Sequence, residues 1–153
     1  MKFKILILII IYTSLLFSCK ESACNLTTKS VLKIGFYTIK NNTETLTPFD
    51  SLTIYGIGKE GNLLYNASSN INSVFIPLSQ NQDISSFVIN TKGTLDTLSI
   101  SYTRHLQLVS KECGFSTIFE ISNVNLSKNR FNSFKIINPT IDTEYEENIR
   151  IYF

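Results

Sequence analysis

From residue 31 onward, short runs of apolar and polar side chains alternate in a way that predicts β-strands. In residues 31–39 the side chains of Leu32, Ile34 and Phe36 recur at every second position, so they share one face of an extended strand. The longest run, residues 95–109, alternates in the same manner. Turn-forming residues separate the runs at intervals of about 8 to 12 residues, a spacing typical of an all-β sandwich or barrel.

The predicted fold is an all-β, antiparallel β-sandwich of about eight or nine strands, with a small β-barrel as the alternative. β-Branched residues are dense, and helical periodicity is weak enough that only residues 78–86 and 142–148 leave room for a helical turn. The chain has no tryptophan, so it lacks the Trp-on-disulfide pattern of true immunoglobulin domains. The predicted strands are residues 31–39, 49–57, 63–65, 73–78, 83–89, 95–109 and 115–121, followed by short runs at Phe134 and Ile136 and at Ile149, Ile151 and Phe153.

The first 18 residues have a different character and are predicted to be a cleaved signal peptide. Lys2 and Lys4 form a positive start, and residues 5–17 are a mostly apolar run of 13 residues. A helix that spans a bilayer needs about 20 apolar residues, so this run is too short for a transmembrane anchor. The expected organisation is a signal peptide at 1–18, a lipidated N-terminal tether at 19–30 and a β-sandwich domain at 31–153.

The end of the apolar run carries a second signal. The residues from Leu16 to Cys19 resemble the lipobox of bacterial lipoproteins, in which a branched apolar residue lies three places before a cysteine and a small residue directly before it. Leu16 and Ser18 match that pattern, whereas Phe17 is bulkier than the usual occupant. The resemblance implies that Cys19 receives a diacylglyceryl group. Acyl chains would then hold the protein on the membrane, each buried methylene contributing about 0.8 kcal/mol.

Removal of the leader changes the charge balance. The whole chain has 14 Lys and Arg against 12 Asp and Glu, and the loss of Lys2 and Lys4 leaves 12 against 12. No basic patch is left, which argues against nucleic acid as a partner and against polybasic attachment to anionic lipid. The expected partners are the membrane, through the lipid on Cys19, and a protein of the cell envelope.

The three cysteines fit an oxidising compartment. With Cys19 acylated, Cys24 and Cys113 are left as a pair that can form a disulfide in the cell envelope. Such a bond would close a loop of roughly 90 residues, worth about 4 kcal/mol in the chain-entropy model. Two unrelated buried thiols are the alternative. A single histidine and the absence of paired cysteine spacing make a metal site unexpected, and no cofactor is predicted.

No constellation of catalytic residues stands out, so the domain is predicted not to be an enzyme. His105 is the only histidine, and no serine lies in a Gly-x-Ser-x-Gly elbow. The four acidic residues between 142 and 147 are predicted to form a solvated loop, in preference to an acid–base pair or a calcium site. Hydrolysis is kept as a minor alternative function.

Two tripeptides concern covalent modification. Those starting at Asp50 and Asp96 have the Asp-Ser/Thr-aliphatic form that resembles the O-glycosylation acceptor of envelope proteins in Bacteroidetes-type bacteria. Ser51 and Thr97 are therefore candidate O-glycosylation sites.

Several segments together resemble a family of small uncharacterised lipoproteins of Bacteroidetes-type bacteria. They are the lipobox cysteine, a second cysteine five residues on, the early strand at 32–37, and Cys113-Gly114-Phe115. The resemblance covers roughly residues 19–153 and carries no assigned activity, so it implies a compartment and not a mechanism. That compartment is the cell envelope, with the protein lipid-anchored in the outer membrane and facing either the periplasm or the cell surface.

The expected function is that of a non-enzymatic accessory or protein-binding module, which recruits partners through an exposed edge strand. The alternative is a lipoprotein that binds a glycan or a small ligand. Fold alone does not choose between the two, because function depends on sites grafted on the fold. The tyrosines that could form a ligand platform are Tyr37, Tyr55, Tyr65 and Tyr102.

Overall fold

The computed structural model describes residues 23–153, and all regular structure in this range is β-strand. Within the same range no helix is long and apolar enough to cross a membrane. The predicted signal peptide at 1–18 and the lipidation site Cys19 lie outside the described residues. The strands are β1 (Leu32–Lys40), β2 (Thr43–Leu46), β3 (Leu52–Gly56), β4 (Leu63–Ser68), β5 (Ser73–Ile76), β6 (Ile84–Thr91), β7 (Thr94–Ser110), β8 (Gly114–Leu126), β9 (Ser133–Ile136), β10 (Thr140–Ile141) and β11 (Ile149–Tyr152).

Two sheets form the sandwich. In the first sheet β1 pairs in parallel with β11, and β11 pairs antiparallel with β9. On its other side β1 pairs with β5 along its first half and with β2 along its second half, so β5 and β2 lie end to end. The second sheet runs in the order β10-β8-β7-β6-β3-β4 and is antiparallel throughout.

The core lies between the sheets and is filled by the alternate apolar side chains of both. Leu32, Ile34 and Phe36 of β1 are buried, as the period-two pattern predicts. Phe36 packs on Phe49 and Phe131 with ring centroids 5.1 and 6.0 Å apart. The second sheet contributes Leu52, Ile54, Phe87, Ile89, Leu98, Ile100, Tyr102, Phe119, Ile121, Val124 and Leu126.

The all-β sandwich is confirmed, and all nine predicted strands are present with shifted ends. Two further strands, β2 and β10, were missed because every side chain of β2 is exposed and β10 has only two residues. No helical turn forms at 78–86 or 142–148. One pair departs from the antiparallel prediction, since β1 and β11 run parallel.

The hairpin of β7 and β8 extends beyond the rest of the second sheet. β6 accompanies β7 only as far as Ser101, and β10 pairs with β8 only at Phe119 and Glu120. We call residues 94–104 and 119–126 the hairpin root, and residues 105–118 the hairpin tip. Six residues of β7 belong to the tip, so at about 3.3 Å per residue the tip projects about 20 Å.

Candidate functional site

The hairpin tip is where the N-terminal segment joins the domain. Cys24 forms a disulfide with Cys113, which lies in the turn between β7 and β8. The turn is closed by the Cys113 backbone N–H, which donates to Ser110 Oγ at 3.0 Å, and by Gly114, whose φ of 74° suits glycine. The predicted Cys24–Cys113 pairing is confirmed, and the alternative of two unrelated thiols is wrong.

Hydrogen bonds at Ser116 form a second connection between the N-terminal segment and the tip. Ser116 is buried, and its hydroxyl donates to the Thr28 carbonyl oxygen at 2.8 Å. The Ser30 hydroxyl lies 3.1 Å from the Ser116 hydroxyl. Because strand side chains alternate, these contacts cover one face of the tip only. The N-terminal segment thus runs along this face from Cys24 to Ser30.

The opposite face of the tip is apolar and open. Leu106, Leu108 and Phe115 are 69%, 53% and 64% exposed. Leu108 and Phe115 are direct cross-strand partners. By strand alternation all three continue the face that, at the root, carries Tyr102 and Phe119 in the core. One continuous face is therefore buried at the root and exposed at the tip.

The most organised polar cluster lies on the first sheet. The Tyr37 hydroxyl donates to Glu147 at 2.8 Å, and the Tyr152 hydroxyl donates to Glu44 at 3.0 Å. Arg150 joins the two pairs, because its guanidinium donates to Glu44 at 2.8 Å and to Glu147 at 2.5 Å. Its cation also lies 4.8 Å from the centre of the Tyr37 ring. We call these five residues the tyrosine–arginine cluster.

The electrostatics of this cluster favour a structural role. Hydrogen bonds from Arg150 and Tyr152 hold the pKa of Glu44 below its usual range. Desolvation, followed by the hydrogen bond to Glu147, raises the pKa of Tyr37, and desolvation together with Glu44 raises that of Tyr152. Both phenols thus keep their protons at neutral pH and act as donors. Every charge already has an opposite partner, so the cluster offers neither a free base nor a nucleophile.

A glycine makes room for the cluster. A Cβ on Gly35 would collide with the carboxylate of Glu147 and come within 2.7 Å of the Tyr37 ring. The cluster could not be predicted from the sequence, because Tyr37 and Glu147 are 110 residues apart and meet only when β1 pairs with β11. Alternation of apolar and polar residues does not indicate which strands pair, so the parallel pairing of β1 with β11 could not be predicted.

The other residues singled out from the sequence do not converge on one site. His105 is exposed on the tip, opposite Ile118. The acidic residues after Pro139 point to different partners, with Glu146 accepting from Asn138 and Glu147 engaged by Arg150. Among residues 23–153 no group of three or more His, Cys, Asp or Glu side chains could hold a metal ion.

The two candidate glycosylation residues and the four tyrosines can now be placed. Ser51 is half-buried just before β3, and Thr97 is half-buried within β7, where its N–H donates to Ser127. Tyr102 is in the core, where its hydroxyl lies 2.7 Å from that of Ser85. The remaining tyrosines do not form one platform. The Tyr65 hydroxyl accepts from the Phe75 backbone N–H of β5 at 2.9 Å, Tyr37 belongs to the tyrosine–arginine cluster, and Tyr55 lies on β3.

Two surface depressions away from the hairpin tip differ in size. One, of about 230 Å³, lies beside Phe49, Thr91 and Arg130, and the Thr91 hydroxyl there is buried with no partner among the described residues. This volume is below the roughly 300–1,000 Å³ of typical ligand pockets. The other, of about 500 Å³, is a groove beside Ile57 and Leu78. Lys59 is the one formal charge among the residues that line it.

Fold and site together define a small all-β domain with a projecting hairpin, tied at its tip to the N-terminal segment. The chain belongs to DUF6452, a family of unknown function, whose match covers residues 51–153 and hence β3 to β11. Cys113 lies within the matched region and Cys24 before it. No curated protein and no solved structure matches the chain. The match confirms an uncharacterised domain, whereas the lipoprotein class and the Bacteroidetes-type origin stay predictions.

Proposed function

We propose that this protein is a lipid-anchored lipoprotein of the cell envelope, attached through Cys19, whose β-sandwich acts as a non-enzymatic binding module. The observation that carries the proposal is the Cys24–Cys113 disulfide. Structural disulfides form and persist in oxidising compartments such as the bacterial periplasm. Cys24 lies five residues after the lipobox cysteine Cys19, so the disulfide would connect the membrane anchor directly to the folded domain.

The anchoring part is tested by metabolic labelling of the full chain with an alkyne fatty acid in a bacterial host. We expect the label on the wild type and its complete loss in Cys19→Ala. Cys24→Ser is the matched control, because it removes a neighbouring thiol and should keep the label. Mass spectrometry of the N-terminal peptide identifies the modified residue. An unlabelled wild type, or label that persists in Cys19→Ala, would overturn the proposal.

The binding part is supported by the edge strand β9. It pairs with β11 in unbroken register, and no described strand pairs with its outer edge. β4, at an edge of the second sheet, differs because its register with β3 is interrupted by bulges, which discourage strand addition. A free and regular edge is the surface to which an extended partner segment can add a strand.

A photo-crosslinking residue in place of Lys135 on β9 tests this edge in intact membranes. We expect an adduct of defined mass from Lys135, and no adduct from the same group placed at Lys59 in the β3–β4 loop. Lys59 is exposed and lies outside the strands, so it is a suitable control. Equal yields at the two positions, or none at either, would count against recruitment through β9.

A further inference from the structure

We propose that the hairpin tip lies in the interfacial layer of the lipid bilayer, with the side chains of Leu106, Leu108 and Phe115 inserted among the lipids. The proposal rests on the proposed lipid anchor at Cys19 and adds a second point of contact to it. The occupant of the exposed apolar face is therefore the membrane to which the chain is attached. The tip becomes the end of the domain that faces the bilayer.

Chain length is the first reason. Cys19 precedes Cys24 by five residues, and an extended chain spans at most about 3.6 Å per residue, so the Cα atoms of Cys19 and Cys24 are within about 18 Å of each other. The disulfide removes any slack beyond Cys24 by fixing that residue to Cys113 in the tip. A domain anchored in this way has its tip closer to the lipid than any other part of the hairpin.

The distribution of apolar groups is the second reason. The tip has one face that the N-terminal segment contacts at Ser116 and an opposite face that carries three large exposed apolar side chains. Large apolar side chains together with an aromatic ring suit the boundary between headgroups and acyl chains. In the turn itself the opposite charges of Lys111 and Glu112 offset one another, while Asp142 and Glu144 line a depression that reaches Leu108.

A second copy of the chain is a weaker occupant. A standard protein interface takes about 800 Å² and some 20–30 residues from each partner. The open face of the tip supplies three apolar side chains on a two-stranded projection, which is far too little. A bilayer needs no matching surface, so three side chains are enough for contact when an acyl anchor already holds the chain.

Tryptophan fluorescence tests the proposal on the full, lipidated protein. The chain has no tryptophan, so Phe115→Trp and Leu95→Trp each give a single reporter. Both positions are at least half exposed. Leu95 lies at the other end of β7, about 43 Å from Leu108 at 3.3 Å per residue. The proteins are reconstituted into phosphatidylethanolamine–phosphatidylglycerol vesicles with and without spin-labelled lipid, and mass spectrometry checks the lipid on Cys19.

We expect the tryptophan at 115 to shift its emission to the blue and to be quenched by lipids labelled near the headgroup, and the tryptophan at 95 to show neither effect. Adding Leu106→Thr and Leu108→Thr should reduce the quenching at 115. Ile39→Thr with Ile57→Thr, which alters two apolar side chains of comparable exposure elsewhere, should leave it unchanged. Circular dichroism confirms that each variant is folded.

Three results would overturn the proposal. If Cys19 carries lipid and the two tryptophans are equally unquenched, the tip stays in water although the anchor stands. If Cys19 carries no lipid, the anchoring proposal fails and the tip proposal falls with it. If the tryptophan at 115 shifts to the blue without quenching by labelled lipid and in proportion to protein concentration, a second copy covers the tip.

Discussion

The root and the tip of the β7–β8 hairpin carry the same kind of side chain on the same face, yet they have opposite environments. Leu98 and Ile100 at the root are fully buried, whereas Leu106 and Leu108 at the tip are more than half exposed. Only the root lies under the first sheet. Alternation in a sequence therefore tells which side chains share a face, while the position of a second sheet decides whether that face is buried.

The two regions are also held by different forces. Full burial of a leucine or isoleucine side chain contributes about 1.5–3 kcal/mol, so the root is stabilised by apolar contact. The tip lacks that contribution on its open face and is held by the Cys24–Cys113 bond and by the hydrogen bonds of Ser116. Changes that act on one region should leave the other largely intact.

The largest effect is expected from removal of the tie at the tip. Cys24→Ser with Cys113→Ser should lower the free energy of unfolding by about 2–5 kcal/mol, because the unfolded chain loses a long covalent loop. Urea denaturation followed by circular dichroism measures the change. The wild type in a thiol reductant is the control and should show a similar loss. Equal stability of oxidised and reduced protein would mean that the tip needs no tie.

At the root, a cavity in the core is the direct test. Ile100→Ala should cost about 2–5 kcal/mol, because Ile100 has no exposed surface. Leu106→Ala on the same strand face should change the free energy of unfolding by less than about 0.5 kcal/mol, as is usual for exposed positions. Equal losses for the two variants in denaturation experiments would contradict the division between root and tip.

A smaller effect separates packing from hydrogen bonding at the root. The Tyr102 hydroxyl donates to the Ser79 carbonyl oxygen at 3.0 Å and pairs with the Ser85 hydroxyl. Tyr102→Phe keeps the ring and removes these bonds, so the loss should be about 1 kcal/mol. Tyr55→Phe on β3 is the matched control, with an expected change close to zero. A Tyr102→Phe variant as stable as the wild type would show that the hydroxyl is not needed.

The smallest effect is expected at Glu44 in the first sheet. This sheet covers the hairpin root but does not reach the tip. Because the folded-state pKa of Glu44 is lowered, its carboxylate stabilises the fold above the unfolded pKa of about 4.3. This stabilisation is lost as the pH falls through the lower, folded pKa. Glu44→Gln should therefore flatten the acid dependence of unfolding as the pH falls below the unfolded pKa of about 4.3. Identical pH profiles for Glu44→Gln and the wild type would contradict this assignment.

Much of the fold followed from alternation alone. Residues 95–109 were predicted as the longest strand, and β7 spans Thr94–Ser110. β2 was not predicted, because every side chain of Thr43–Leu46 is exposed and the segment has no alternation of apolar and polar residues. The exposure of Leu106 and Leu108 was also hidden, since their spacing matches that of buried Leu98 and Ile100.

The candidate site divides in the same way. The Cys24–Cys113 pair could be predicted because the predicted acylation of Cys19 leaves two thiols to pair. The tyrosine–arginine cluster could not, because its members come from β1, β2, β11 and the segment before β11. The number of cysteines in the sequence can indicate a disulfide. A polar network depends on which strands become neighbours, and the sequence does not show this.

The parallel pairing of β1 with β11 also sets an order of events during folding. Ile34 is paired with Ile149, so this half of the sandwich needs contacts across nearly the whole chain, and such non-local pairings form slowly. The hairpins of β6, β7 and β8 join neighbouring segments and can form first. Pulsed hydrogen exchange during refolding should protect amides of β7 before those of β1. During synthesis from the N-terminus, one edge of β1 therefore stays open until residues 149–152 have been made.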